Sequence, residues 1–98
     1  MLASLDMSEQ HALTFTGFVM SLATTAAVHF GDLADPATGT IRTNLVAAGQ
    51  MIDILAMLQE KTKGNLTPDE TRLVDDLLYE LRLRYVEASK PESRIITP

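Results

Sequence analysis

An all-α fold, with three main helices packed antiparallel, is predicted by three observations. The chain is 46% hydrophobic but holds three Phe, two Tyr and no Trp, so its core must come from Leu, Ile, Val, Ala and Met. That mixture suits helix-on-helix packing. Apolar residues recur at three- and four-residue spacings over three long stretches, the signature of helices with a buried face. Between them lie the short segments GDLADPATGT and KTKGNLTP, which Gly and Pro mark as turns. Ninety-eight residues make one domain, expected over residues 1–88, with a mobile tail over residues 89–98. A chain of this size buries only roughly two-thirds of its unfolded surface, so a partner would add stability.

In the first helix, Met1 to about Asp6 reads as a frayed end and Ser8 as the N-cap, with Glu9 and Gln10 in the first turn. The helix should run to about Phe30 and stop at Gly31. Phe15, Phe18, Leu22, Ala26 and Phe30 form its expected core face. Gly17, Ser21 and Thr25, four apart, would let another backbone come close. Leu13 to Phe30 has no Asp, Glu, Lys or Arg and is about long enough to span a bilayer. Four threonines, a serine and His29 dilute it, and no Lys/Arg cluster or Trp/Tyr belt flanks it. A buried helix is the expectation and a membrane span is not.

The central helix is expected over residues 41–63, built on Ile41 to Leu58, with Thr40 or Thr43 as its cap. Leu45, Ile52, Ile41, Ala48, Ala56 and Leu55 fill one side, while Met51, Leu58, Ile54, Ala47, Met57 and Val46 carry apolar surface almost all the way round. A helix apolar on nearly every side is expected to be buried on nearly every side. Asp53 and Glu60 leave a narrow polar strip, with Gly49 and Gln50 at its edges. Lys61 and Lys63 stand at the carbonyl end, the favourable sign for the helix dipole, and Gly64 supplies the left-handed residue that ends it.

Thr67-Pro68-Asp69-Glu70 opens the last helix, expected over residues 68–88. Thr67 caps, Pro68 takes the first position, where its missing N–H is harmless, and Glu70 returns to the cap as a capping box. Leu73, Val74, Leu77, Leu78, Leu81 and Tyr85 form the core arc, and Arg72, Asp76, Glu80 and Arg84 are spaced for charge pairs along the helix. A second apolar strip, Tyr79, Leu83 and Val86, lies on roughly the opposite side, and a lone three-helix chain has nothing to cover it. The closing SKPESRIITP has two prolines and no helical period; Ile95 and Ile96 in it could dock on a partner.

The run IDILAMLQEKTKGNLTPDETRLVDDLLYELRLRYVE, Ile52 to Glu87, resembles the bacterial family called domain of unknown function 1844. KTKGNLT followed by YELRLRYVE carries the likeness, and the Phe-rich first helix with its SLATTA segment fits it, so the resemblance covers most of the chain beyond the first ten residues. It implies a small helical protein with no assigned reaction, cofactor or substrate, and no catalytic residue carries over.

Several chemistries are excluded or weakened. Zero cysteines rule out a disulfide scaffold, a thiolate metal site and Cys catalysis, and fit a reducing cytoplasm. Asp6 and Glu9 stand where a signal peptide needs Lys or Arg, so the expected location is cytoplasmic. A net charge of −5 works against nucleic acid, and Glu80 and Glu87 neutralise the one basic-aromatic cluster, Arg82, Arg84 and Tyr85. His11 and His29 share a face on an unbroken helix but stand about 27 Å apart, too far to hold one metal. Asp53 and Glu60 lack the Glu-x-x-His partner motif of bundle metal sites, and are expected to be solvated or paired with Arg72, Arg82 or Arg42. Lys61, Lys63, Gly64, Asn65 and Thr67 are the candidate anion or nucleotide site, at a helix start where free N–H groups favour negative charge. They lack the Walker A spacing, and Asp69 and Glu70 compete for the same helix end.

No metal, cofactor or enzymatic activity is expected. The expected function is that of a small interaction or scaffold protein that self-associates, as a dimer first. Its interface would be Tyr79, Leu83 and Val86 with Met51, Ile54, Met57 and Leu58. The alternative is an accessory subunit that binds a membrane or a hetero-protein partner in a larger complex through the first helix.

Overall fold

The structure, a computed structural model, describes residues 13–90. Among them are three helices and no strand: α1 (Phe15–His29), α2 (Leu45–Lys61) and α3 (Pro68–Ser89). The all-α fold predicted from the sequence is the one observed. The Ser8 cap with Glu9 and Gln10, the Met1–Asp6 end, His11, and Ile95 and Ile96 of the tail lie outside the described residues. None of the described helices is long and apolar enough to cross a membrane.

α1 starts later than expected. Thr14 is extended, and its hydroxyl oxygen accepts a hydrogen bond from the Gly17 N–H at 2.9 Å, which makes it the N-cap. The helix that carries His29 therefore begins at Phe15. At the other end Gly31 adopts φ +82°, a conformation that favours glycine. Space demands glycine as well, because a Cβ there would stand 2.6 Å from the Thr43 hydroxyl. The buried line of α1 is Val19, Ala26 and the C-cap Phe30, with Phe15 and Leu22 half-buried against it. Phe18, expected in that line, is 39% exposed. The spacing that holds one arc runs through Val19, and Phe18 is turned about 100° away from it.

The segment between α1 and α2 is folded back by its own polar groups. Asp35 accepts from the Ala37 N–H through its side chain and from the Gly39 N–H through its carbonyl, and the Asn44 N–H donates to the His29 carbonyl at 2.7 Å. Asn44 is then the cap of α2, its side-chain oxygen accepting from the Ala47 N–H. Neither Thr40 nor Thr43 caps: Thr40 exchanges a hydrogen bond with Thr38, and Thr43 sits against Gly31. Ile41 consequently lies before the helix and is exposed.

α2 supplies the centre of the core through Ala48, Met51, Ile52 and Leu55, which meet Val74 and Leu78 of α3 and the buried line of α1. Its burial is one-sided within the chain, since Val46, Ile54 and Met57 are exposed. The start of α3 follows the sequence expectation: Thr67 accepts from the Glu70 N–H, the Glu70 carboxylate accepts from the Thr67 N–H, and Pro68 occupies the first position. Leu73, Leu77, Leu81 and Tyr85 pack half-buried beside Val74 and Leu78, as the core arc predicted. Two contacts tie α2 along α3. Gln59 donates to Asp75 at 2.6 Å, and Gly49 lies under the Tyr85 ring, where a Cβ would approach Cε2 to 3.3 Å. Gly49 is thus a site of close helix approach beside the polar strip.

Candidate functional site

The two flanks of α3 carry different chemistry. On the flank toward the end of α1, Arg84 makes a bidentate pair with Asp32, its Nε donating to Oδ2 at 2.9 Å and its Nη2 to Oδ1 at 2.6 Å. The guanidinium lies 5.1 Å from the centre of the Phe30 ring, and Phe30 meets Tyr85 edge-on with ring centres 6.5 Å apart. The hydrogen bond from Arg84 holds the Asp32 carboxyl below its ordinary value against partial desolvation, with the charge of Arg84 adding to the effect. The same bond raises Arg84. The charge pairs expected along α3 are not formed: Arg84 takes its partner from 52 residues earlier rather than from Glu80, and among the described residues Arg72 and Asp76 form no ion pair.

On the flank toward α2 the apolar strip is bare: Tyr79 is 66% exposed, Leu83 49% and Val86 51%. The strip does not lie opposite the core. Together with Gln59 and Asp75 it bounds a shallow depression of about 290 Å³ whose floor includes Leu78. A second depression of about 360 Å³ lies between Gly49, Ile52 and Asp53 of α2 and Arg82, Tyr85 and Val86 of α3. Arg82 and Val86 border both, so the two adjoin between the helices, and together they make up a trough. Its floor and one wall are apolar, and its rim is polar. Gln59 and Asp75 satisfy each other on that rim. Among the described residues Arg82 and Asp53 have neither a hydrogen bond nor an ion pair, so the pairing of Asp53 with Arg72, Arg82 or Arg42 is not formed. Glu60 is likewise exposed and without an ion pair.

The trough sorts the expected interface residues. Tyr79, Leu83 and Val86 line it. Met51, expected at the interface, is only 9% exposed and belongs to the core, packed among α2 residues that face the other helices. Leu58 is half-buried. Met57, four residues on from Asp53, is exposed on the same side of α2, whereas Ile54, about 100° further round, is exposed away from the trough. Arg82 and Asp53 are the members that sequence reasoning left out of the surface. Arg82 had a signal, being three residues from Tyr79 and four from Val86 and hence on their side of α3.

Lys61, Lys63, Gly64, Asn65 and Thr67 do not converge on an anion. The Glu70 carboxylate and the Thr67 hydroxyl already satisfy the start of α3, and the hollow of about 350 Å³ beside Lys63 and Gly64 is also lined by the carboxylates Glu60 and Asp75. A wider hollow of about 660 Å³ lies between His29, Asp35 and Arg42 at the start of α2. Among the described residues no three His, Asp or Glu side chains gather as they would to hold a metal ion.

A match to the family described as Domain of unknown function (DUF1844) runs over residues 12–87. The chain belongs to that family. No curated protein and no solved structure matches it. The DUF1844 match takes in α1, α2 and nearly all of α3, so the Arg84–Asp32 clasp and the trough both fall inside it.

Proposed function

We propose that this DUF1844 protein works by binding, as a small interaction or scaffold subunit that self-associates through the trough between α2 and α3. The observation that carries this reading is the exposure of Tyr79, Leu83 and Val86 along one edge of so small a core. Fully burying a large apolar side chain is worth about 1.5–3 kcal/mol, and each of these three has about half of that still to gain. Contiguous apolar surface with a polar rim marks an interaction site. A second copy related by a two-fold axis would cover both strips in one contact. Size-exclusion chromatography with light scattering tests the reading: a dimer is expected, and a stable monomer at micromolar concentration would end it.

A second reading is favoured by α1. The hydroxyls of Ser21, Thr24 and Thr25 donate back to carbonyls of their own helix, so they present methyl and methylene surface outward on a helix without Asp, Glu, Lys or Arg. Phe18 and Met20 are exposed on the same helix. This suits an accessory subunit that meets a larger complex or a membrane surface through α1. Phe18→Ser should then release the protein from a pelleted complex or vesicle fraction while leaving the dimer intact; an unchanged distribution would discard this second role.

A further inference from the structure

We infer that Arg82 and Asp53 set the register of the dimer, Arg82 of each copy pairing with Asp53 of the other. The inference rests on the self-association reading and adds to it the polar contact that makes the partner a second copy of this chain. Arg82 stands inside the apolar strip, between Tyr79 and Val86 in sequence, and lines both depressions. Asp53 lines one of them from the α2 wall. Neither has a partner among the described residues, and of the charged side chains that line the two depressions Asp75 alone is answered within the chain, by Gln59.

Whatever covers the trough takes water away from both charges. A charge left unpaired on burial is strongly destabilising, and Arg82 and Asp53 do not pair with each other across the depression, so an occupant that fills it must bring an acid to Arg82 and a base to Asp53. A uniformly acidic or basic partner meets one requirement and violates the other. A second copy meets both, because a two-fold contact that places Asp53 of one chain on Arg82 of its mate places the reciprocal pair at the same time. Local complementarity is all the more necessary because each chain carries a net charge of −5, so two copies repel at a distance.

Charge reversal and mixing form the test, read by analytical ultracentrifugation with one chain labelled. Arg82→Glu and Asp53→Arg, each alone, put two like-charge contacts into the homodimer and should weaken it about tenfold or more. Mixed in equal amounts, the two variants place Glu against Arg in one contact and keep Arg82 against Asp53 in the other. The mixture should therefore form a heterodimer of near wild-type affinity. The double reversal on one chain should restore the homodimer, with far-UV circular dichroism confirming helical content throughout. Single variants that dimerise like the wild type, or a mixture no tighter than its components, would overturn the pairing. If Leu83→Glu still dissociated the dimer in that case, self-association through the trough would stand without it. A wild-type chain that is monomeric would remove both.

Discussion

Arg82 and Arg84 stand two residues apart on α3 and meet opposite surroundings. Arg84 points to the end of α1, where the chain supplies a carboxylate in bidentate geometry and an aromatic face beneath the guanidinium. Arg82 points to the α2 side, where Asp53 lies across a trough and forms no pair with it. Local sequence does not distinguish them, since both sit among Leu, Glu and Tyr in YELRLRY. What separates them is the element opposite: a loop turned tightly by Gly31 on one flank, and the outer edge of a helix on the other. The first flank is completed by the chain itself. The second is finished only when something else arrives.

The largest loss is expected where both flanks depend on one side chain. Leu55 has no exposed surface, and Leu55→Ala should lower stability by about 2–5 kcal/mol, measured by urea denaturation, weakening the clasp and the trough together. Gly31→Ala strikes the closed flank, because a side chain at φ +82° against the Thr43 hydroxyl is strained; a loss of about 1–3 kcal/mol is expected, read as a lower thermal midpoint. Leu83→Glu strikes the open flank and separates association from folding. It should abolish the dimer in light scattering while moving the stability of the dissociated chain by no more than about 0.5 kcal/mol.

The smallest effect sharpens the contrast. Arg84 and Asp32 are 39% and 44% exposed, so solvent screens their pair, and Asp32→Asn should cost only about 0.2–1 kcal/mol. Its pH dependence has a definite sign. The Asp32 carboxyl titrates below its unfolded value, so its contribution is complete above about pH 4 and is lost as pH falls through the folded value. Wild type and Asp32→Asn should therefore differ in denaturation midpoint at neutral pH and converge in acid. Curves that stay parallel down to the lowest pH would show that the clasp does not act through the Asp32 charge.

Much of the fold was legible because its signals are local. Thr67 and Glu70 are three residues apart, and the capping box they form needs nothing from the rest of the chain. The Leu73–Tyr85 arc and the Tyr79, Leu83 and Val86 strip follow from helical spacing alone. Thr14 and Asn44 do not stand out as caps because Ser8, Thr40 and Thr43 offer equivalent side-chain acceptor oxygens nearby, and the choice among them depends on where the loop returns. Met51 was misplaced for a related reason: on an all-apolar helix the pattern does not mark which side the neighbours will take.

Local pattern is enough to set three helices with apolar faces among the described residues, the start of the last one, and more apolar surface on α3 than one core face needs. The packing of the three helices settles that this surplus borders a trough with α2, that Met51 is covered while Met57 is bare, and that Arg84 is answered from 52 residues away while Arg82 is not. Helical periodicity sets a side chain's angle about its own axis. It does not set the direction from which the next helix comes, which depends on close approaches such as Gly49 against Tyr85 and on the turn at Gly31.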